Sequence, residues 1–269
     1  MRDIAELSDI AQAAIRLGYE LVKDAQPTQI RNKGDRDIVT EVDLRVERTI
    51  RAYLKDATPE IGFFGEEEGR RTDSENDECV WTLDPIDGTS NFAHGVPLCA
   101  VSLALVCKLE ALVAAIAVPS LELHYSATKG NGAFVNGNQL DRSDTVDLTK
   151  SIVSIGDYAV GQNAAEKNRR RIRLTTLLAE RVERVRMFGS AAIDLAWVAE
   201  GRTDAAVILS NKPWDTAAGV LLAREAGGLV IDGRGAPHTF QSTETIAMCP
   251  GLAASLLPLV QESFAVSTV

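Results

Sequence analysis

The sequence lacks an apolar run long enough to cross a membrane. Its longest one, Val96 to Cys107, falls short of the ~20 residues that a membrane helix needs, and the charged Lys108 and Glu110 follow it. The N-terminal segment is charged from Arg2 onward and has no apolar stretch of the kind found in signal peptides. We therefore expect a soluble, cytoplasmic protein with no membrane partner.

Cysteine and histidine are scarce. The four cysteines form no C-x-x-C pair, and Cys99 and Cys107 lie in apolar, strand-like segments where buried free thiols are common. We expect free cysteines and a reducing compartment. The three histidines are expected to be surface or structural residues: His94, His124 and His238.

Positive charge is also limited. Lys and Arg number 28 against 38 Asp and Glu, which gives a net charge of −10 at pH 7. A nucleic-acid surface needs a basic field, so no nucleic-acid partner is expected. The absence of a G-x-x-x-x-G-K-[ST] motif excludes a P-loop enzyme. The basic run RRRIR, residues 169–173, is interpreted as the solvated face of a helix.

The apolar pattern of the first half predicts helices followed by strands. Two N-terminal segments carry apolar residues at helical spacing, and the polar stretch RNKGDRD between them is predicted to be a loop. From about Ile61 onward, short apolar runs bounded by turn residues are typical of strands. These runs are IGFFG, VWTL, LCAVSLALVC, LVAAIAV and ELHYSA.

The second half alternates between strands and helices. Strands are predicted at SIVSIG, AAVIL, LVIDG and TIAM. Helices are predicted at about Ala164 to Arg184, from Ser190, from Trp214 to Ala226, and at the C-terminus. This alternation predicts mixed α/β layers. Since no repeat or flexible linker divides the chain, we expect a single domain over residues 1–269, with halves of about 1–145 and 146–269.

Five acidic residues stand where the chain leaves a regular element, and such positions often build active sites. They are Asp37, Glu66, Asp84, Asp87 and Asp215. Other roles are open for some of them: Asp37 and Asp43 suit a turn and a helix cap, Glu66 could be a solvated member of EEE, and Asp215 could be an N-cap. The pair in DPIDGT is the hardest to explain structurally.

Several carboxylates in one cleft cannot all stay ionised unless a cation neutralises them. Oxygen ligands without histidine or cysteine favour Mg²⁺ or Mn²⁺ over zinc. The small-residue turn Gly88 to Asn91 follows Asp87 directly, and such turns can present N–H groups to an anion. Metal ions beside an anion site predict metal-assisted hydrolysis of a phosphate monoester by water, without a protein nucleophile.

Four segments resemble the metal-binding motifs of the inositol monophosphatase family, among the lithium-sensitive phosphatases that include fructose-1,6-bisphosphatases. They are GDRDIVTEVD, GEEEG, LDPIDGTSNF and PWDTAAGVLLAREAGG, and the resemblance spans roughly Asp37 to Gly228. It implies a five-layer αβαβα sandwich, a homodimer and two to three Mg²⁺ ions, for which Mn²⁺ could substitute.

The resemblance also implies roles for individual residues. Glu66, Asp84 and the Ile86 carbonyl would hold one ion. Asp84, Asp87 and Asp215 would hold a second ion. A weaker third ion would lie near Glu66, and Asp37 would serve it or support the ligands.

The catalytic and phosphate-binding roles follow from the same resemblance. Thr89 and Glu66 would orient and deprotonate the attacking water, and the N–H groups of Gly88 and Thr89 would receive the phosphate. Thr40 and Asp43 would order the loop. Glu67 would support the ligands, and Lys33 would be an exposed charge close to the loop that covers the metals.

The substrate is less closely defined. Gly189, Ser190 and Ala191 match the turn that borders the substrate in the family, although Ser190 could simply cap a helix. Ile208 stands where relatives that act on inositol phosphate commonly have a carboxylate, and an isoleucine cannot bind a substrate hydroxyl. Inositol or a related sugar phosphate is the first expectation, with histidinol phosphate, 3′-phosphonucleotides and fructose bisphosphate as alternatives.

Two other classes of protein share part of this pattern. A haloacid-dehalogenase-type phosphatase needs two aspartates one residue apart, but Pro85 and Ile86 both separate Asp84 from Asp87. A binding or regulatory protein could retain the fold without turnover. The presence of Glu66, Thr89 and the acidic set disfavours that role.

Overall fold

The computed structural model describes residues 2–71 and 78–264, and the side chains at 70 and 71 are outside this description. The described residues form seven α-helices, which are α1 Ile4–Val22, α2 Glu41–Ala57, α3 Thr89–Ala93, α4 Ala164–Ala179, α5 Ala191–Glu200, α6 Pro213–Glu225 and α7 Ala253–Phe264. Short 3₁₀ turns cover Pro119–Leu121, Leu148–Lys150 and Pro250–Leu252.

The strands of the first half are β1 Ile30–Gly34, β2 Asp37–Thr40, β3 Gly62–Gly65, β4 Gly69–Arg71, β5 Cys79–Asp87, β6 Ala100–Cys107, β7 Glu110–Val118, β8 Leu123–Thr128, β9 Ala133–Val135 and β10 Asn138–Gln139. The strands of the second half are β11 Ile152–Ile155, β12 Arg184–Arg186, β13 Ala205–Ile208, β14 Leu229–Ile231 and β15 Thr245–Met248.

The first half builds an eight-stranded sheet in the order β10-β9-β8-β7-β6-β5-β3-β4. All neighbouring pairs in it are antiparallel except β3 and β5, which run parallel. Helices α1 and α2 pack together on one face, because each has an apolar stripe that it must bury. Trp81 on β5 is fully buried in this layer.

The second half builds a five-stranded mixed sheet in the order β12-β11-β13-β15-β14. Helices α5 and α6 lie between the two sheets and contact both of them. Helices α4 and α7 pack on each other at the outer face of the smaller sheet. The layer order is therefore α1/α2, large sheet, α5/α6, small sheet, α4/α7, which confirms the predicted αβαβα sandwich.

Most predicted elements are present, with corrections at three places. The predicted polar loop RNKGDRD is instead the β1–β2 hairpin, in which exposed residues pair antiparallel and Arg36 turns the chain with a φ of 56°. Helix α4 ends at Ala179 rather than near Arg184, because Val182 and Val185 pack on the small sheet and the chain continues as β12.

The third correction concerns the cysteines. Cys79 and Cys107 are paired directly across β5 and β6 and form a disulfide, so the expectation of free thiols is wrong for these two. Cys99 and Cys249 are free and buried. The disulfide joins the ends of β5 and β6 that lie away from Asp84 and Asp87.

Across the described ranges, none of the helices combines the length and apolarity required to traverse a lipid bilayer. Whether residues 1–269 form a single domain stays a prediction. Residues 1, 72–77 and 265–269, which that prediction includes, lie outside the described part of the chain.

Candidate active site

The end of β5 places two carboxylates at one cavity. Asp84 pairs with Ser102 on β6 and Asp87 pairs with Ala100, so three steps along β5 match two along β6. Side chains alternate between the two faces of a regular strand, so residues three apart would point to opposite faces. The bulge adds one residue to β5 and turns Asp84 and Asp87 to the same face. Both carboxylates consequently line the same cavity, with Asp84 2% exposed and Asp87 9%.

Glu66 enters the cavity from the turn after β3. Its N–H donates to the Leu83 carbonyl at 3.2 Å. The buried Glu47 carboxylate of α2 holds the rest of the turn, because it accepts the N–H groups of Glu67 at 2.9 Å and Glu68 at 2.8 Å. A Cβ at Gly65 would lie 2.5 Å from that carboxylate, so a larger residue there would displace Glu47 from these two N–H groups.

Asp215 approaches from the N-terminus of α6. Its Oδ2 accepts the backbone N–H of Lys212, the N-cap residue, at 2.7 Å, so Asp215 helps to cap α6 from the third helical position and not as the N-cap itself. The side chain also lines the cavity together with Glu66, Asp84 and Asp87. Four acidic residues that are distant in sequence therefore meet at one place.

Burial and mutual repulsion dominate the electrostatics of this cluster. Burial raises the pKa of Asp84 well above its usual value, and the charges of Glu66, Asp87 and Asp215 add to that increase. Burial likewise raises the pKa of Asp87 to about 6 and that of Asp215 to about 7. For Asp87, hydrogen bonds from the Ser190 hydroxyl at 2.5 Å and the Ala192 N–H at 2.6 Å partly offset this effect.

Lys33, at the β1–β2 hairpin, supplies positive charge to the edge of the cluster. Its ammonium lies 2.8 Å from Glu66 and Glu67 and 4.0 Å from Asp37. Burial lowers the pKa of Lys33, but the two glutamates outweigh burial and raise it. Lys33 is exposed, as expected, but it lies in a β-hairpin and not in a loop, and its charge is paired with Glu66 and Glu67. Asp37 itself is largely exposed and stands at the rim.

The donor set fits a hard divalent cation. It consists of buried carboxylates that raise one another's pKa, and oxygen donors of this kind suit Mg²⁺ or Mn²⁺. Within residues 2–71 and 78–264, no three His, Cys, Asp or Glu side chains are already arranged to enclose an ion. The main-chain carbonyl of Ile86 and small shifts of the carboxylates would have to complete the coordination.

Thr89 connects the cluster to a second buried acid. Its hydroxyl lies 3.1 Å from Asp43 Oδ1 and 2.9 Å from the Ile86 carbonyl. A hydroxyl has one proton, so it donates to only one of these acceptors at a time. Asp43 also caps α2 with Thr40, as one sequence alternative proposed, and burial raises its pKa.

The turn after β5 requires glycine. Gly88 has a φ of 90°, and a Cβ there would lie 3.0 Å from the carbonyl oxygens of Gly189 and Leu98. Among the described residues, neither the Gly88 nor the Thr89 N–H has a hydrogen-bond acceptor. Their assignment to phosphate stays a prediction.

The second half of the chain forms the opposite wall. Gly189, Ser190 and Ala191 line the cavity, and Ser190 both caps α5 and donates to Asp87. Ile208 lines it from the end of β13, where the side chain is 5% exposed. The cavity has a volume of about 380 Å³, which is large enough for a small ligand.

A larger cavity of about 700 Å³ lies elsewhere, around residues 232–244. It includes none of the predicted metal ligands, so the chemistry belongs to the smaller cavity.

The basic run contains the main error of the sequence interpretation near the site. Arg171 is only 6% exposed and lines the cavity, so it does not belong to a solvated face. The sequence interpretation also does not predict that Asp43 and Glu47 are fully buried. The signal was their spacing with Ile50 and Leu54, which places two acids on the buried face of α2.

Comparisons with known proteins agree with this geometry. The model of the inositol monophosphatase family matches residues 3–264. An inositol-1-monophosphatase of Mesorhizobium japonicum is 36% identical over 261 residues, which cover 96% of this chain and 97% of that protein. The Nus factor SuhB of Pseudomonas aeruginosa is 34% identical, with 88% of each chain covered.

Solved structures show the same fold. An IMPase of Thermotoga maritima superposes with a TM-score of 0.86 at 30% identity, covering 95% of this chain and 97% of that one. The extragenic suppressor protein suhB of Bartonella henselae gives a TM-score of 0.87 at 32% identity, with 96% and 99% covered. The predicted family and enzyme class are confirmed: the chain belongs to the inositol monophosphatase family, whose members are phosphoric monoester hydrolases.

Proposed function

We propose that the protein catalyses Mg²⁺-dependent hydrolysis of a small phosphate monoester, with sugar and cyclitol phosphates as the first substrate class. The observation that carries this proposal is the convergence of Glu66, Asp84, Asp87 and Asp215 on one cavity, beside the Thr89–Asp43 hydrogen bond. Family membership supports the reaction class.

The proposed ligands are Glu66, Asp84 and the Ile86 carbonyl for one ion, and Asp84, Asp87 and Asp215 for another. When bound, such ions neutralise the carboxylates, polarise phosphoryl oxygens and lower the pKa of water. Lys33 lies within 2.8 Å of Glu66, so we expect its ammonium to move when an ion occupies that side. Asp37 would support a weaker third ion.

Thr89 and Asp43 are proposed to take the proton of the attacking water. Thr89 Oγ1 lies 3.1 Å from Asp43 Oδ1, so a water that donates to the hydroxyl can pass its proton to Asp43 in one relay. Burial raises the pKa of Asp43 and makes it a better proton acceptor than a solvated aspartate. Glu66 would orient the same water. The water oxygen then bonds to phosphorus, the bond from phosphorus to the ester oxygen breaks, and the departing oxygen takes up a proton from solvent water to leave as the alcohol.

The phosphate and the alcohol are proposed to bind at opposite walls. The free N–H groups of Gly88 and Thr89 would receive the phosphate. Gly189, Ser190, Ala191 and Ile208 would border the alcohol. Relatives are inositol-1-monophosphatases by name, which supports a cyclitol phosphate, whereas Ile208 offers no acceptor for its hydroxyls.

Three further properties belong to the same proposal because the family resemblance implies them. They are inhibition by lithium, assembly as a homodimer and a cytoplasmic location. Lithium titration against Mg²⁺, light scattering and cell fractionation would test them in turn.

The decisive experiment measures phosphate release with Mg²⁺ and with EDTA. The compounds are myo-inositol 1-phosphate, histidinol phosphate, fructose 1,6-bisphosphate and 3′-phosphoadenosine 5′-phosphate. We expect Mg²⁺-dependent turnover of at least one of them. Turnover that persists in EDTA would overturn the metal assignment, and no turnover of any compound would favour the alternative of a metal-dependent binding or regulatory protein.

A further inference from the structure

Arg171 is a buried cation in the wall of the active-site cavity. Its neighbours Arg169, Ile172 and Arg173 on α4 are exposed, whereas Arg171 is 6% exposed and faces inward with Leu174 and Leu178. Spacing explains the difference, because positions 171, 174 and 178 share one face of the helix.

The guanidinium is fixed in place by three neutral acceptors. Nε donates to the Asp157 carbonyl at 2.9 Å, Nη1 to the Lys167 carbonyl at 3.4 Å and Nη2 to the Ser210 hydroxyl at 3.0 Å. These bonds use three of its five N–H groups and leave one on each terminal nitrogen. Arg171 makes no salt bridge with any carboxylate in the part of the chain that the structure describes.

A buried and unpaired charge is costly, so such a group usually has a partner in the working protein. Burial lowers the pKa of Arg171 and the nearby charge of Asp157 raises it, but the guanidinium stays protonated at any physiological pH. Arg171 lines the same cavity as Ile208 and Ser210. The Arg171 side chain therefore belongs to the wall that would border the departing alcohol.

We propose that Arg171 is a specificity-determining residue that binds a second oxyanion, a carboxylate or a phosphate, on the alcohol portion of the substrate. This inference rests on the proposed function and narrows its substrate class. Polyol phosphates with a second anionic group would be preferred over those with a neutral alcohol.

The surroundings of Arg171 suit a hydroxylated anion. Two terminal N–H groups in a fixed fork match the two oxygens of a carboxylate or phosphate. Lys167 adds a second positive charge to the cavity wall, and the exposed Asp157 carboxylate, which accepts no hydrogen bond from the described residues, can take one from a substrate hydroxyl. Ile208 contributes only apolar surface. An anion-binding arginine would thus replace the polyol contact that position 208 lacks.

Two matched substrate pairs test the proposal and separate the two sources of oxyanion. Glycerol 3-phosphate and 3-phosphoglycerate differ by a carboxylate, and fructose 1-phosphate and fructose 1,6-bisphosphate differ by a second phosphate. In at least one pair, we expect kcat/KM to favour the anionic member by about ten- to hundredfold, mainly through KM, because a hydrogen bond to a charged group has that value. The pair that responds identifies the oxyanion.

Variants separate recognition from structural support. Arg171→Gln should bring the ratio within the responding pair close to one, and Arg171→Lys should keep part of it because the charge remains. Arg170→Gln is the control, since Arg170 lies on the same helix and contacts Glu166 instead of the cavity. A merely structural role would lower both members of each pair equally.

The outcomes distinguish this inference from the proposed function. Turnover of the neutral members with ratios near one in both pairs would overturn the role of Arg171 and leave the phosphatase proposal standing. Ratios unchanged in Arg171→Gln and Arg171→Lys would do the same. No turnover of any of the four compounds with Mg²⁺ would overturn the proposed function, and this inference with it.

Discussion

The two walls of the active-site cavity are built differently. The carboxylate wall comes mainly from the end of β5, the turn after β3 and the adjoining α3, all in the large-sheet half, and the N-terminus of α6 adds Asp215. Its acids are held by backbone contacts, such as those of Glu47 to the turn that carries Glu66. The facing wall comes from the loops after β11 and β13 and from α4. Arg171 on α4 holds the two loops together, because its guanidinium donates hydrogen bonds to the Asp157 carbonyl and to the Ser210 hydroxyl.

The difference separates chemistry from recognition. A water-dependent phosphoryl transfer needs several carboxylates at fixed distances, and a strand bulge and a capped helix provide that rigidity. The residues that recognise the alcohol lie largely on loops, and loops can be substituted without disturbing the sheet. Substitutions at the first wall should therefore abolish turnover, and substitutions at the second wall should change which ester is used.

The largest effect is expected from Asp84→Asn. Asp84 is the proposed shared ligand of two ions, and a neutral amide cannot replace its charge, so kcat/KM should fall by about 10³-fold. Without Mg²⁺ the variant should be at least as stable as the wild type, because it relieves repulsion among buried carboxylates. Asp56→Asn, at an exposed position of α2, is the control. Near-normal turnover of Asp84→Asn would contradict the ligand assignment.

A smaller loss is expected from Thr89→Val, which keeps the shape of the side chain but removes the hydroxyl. The relay to Asp43 is then broken, and kcat should fall by about 10²-fold, the usual contribution of positioned proton transfer. Thr89→Ser keeps the hydroxyl and should retain most of the activity. Equal rates for the valine and serine variants would show that the 3.1 Å contact with Asp43 has no part in turnover.

The two walls also differ in how far the sequence reveals them. Asp84 and Asp87 stand in a short motif, Glu66 follows a recognisable strand and Asp215 begins a recognisable helix, so the cluster could be predicted before any coordinates. Arg171 could not, because the run RRRIR reads as surface unless the register of α4 against the small sheet is known. The β1–β2 hairpin could not be predicted for a related reason. The residues of β1 are all exposed, so the sequence shows no alternation of apolar and polar residues there.

A change of preference, instead of a loss, is expected from Ile208→Glu. A carboxylate at this wall would accept hydrogen bonds from polyol hydroxyls. The ratio of kcat/KM for myo-inositol 1-phosphate to that for p-nitrophenyl phosphate should rise by about tenfold. Ile208→Met is the control for side-chain volume. If the glutamate variant keeps the wild-type ratio, Ile208 does not border the alcohol.

His238→Gln is expected to leave turnover unchanged. Its effect is on the stability of the small-sheet half of the chain. His238 is 6% exposed and lies 2.9 Å from the Thr245 hydroxyl. Burial, and then the charge of Arg224, lower its pKa from 6.5 to about 4. Since the unfolded chain takes up this proton more readily, the contribution of His238 to stability is complete above pH 6.5 and is lost as the pH falls towards 4.

The loss amounts to up to about 3 kcal/mol in the free energy of unfolding, at 1.36 kcal/mol per pKa unit. Urea unfolding without metal at pH 7 and pH 5 would measure it in the wild type and in His238→Gln. The raised pKa values of Asp87 and Asp215 act with the opposite sign, but they are common to both proteins and cancel in the difference. The variant should lose less stability than the wild type between the two pH values, with the same kcat at pH 7. If the free energy of unfolding falls by the same amount in both proteins between pH 7 and pH 5, the pKa of His238 is not lowered by folding, and His238 does not make the protein sensitive to acid.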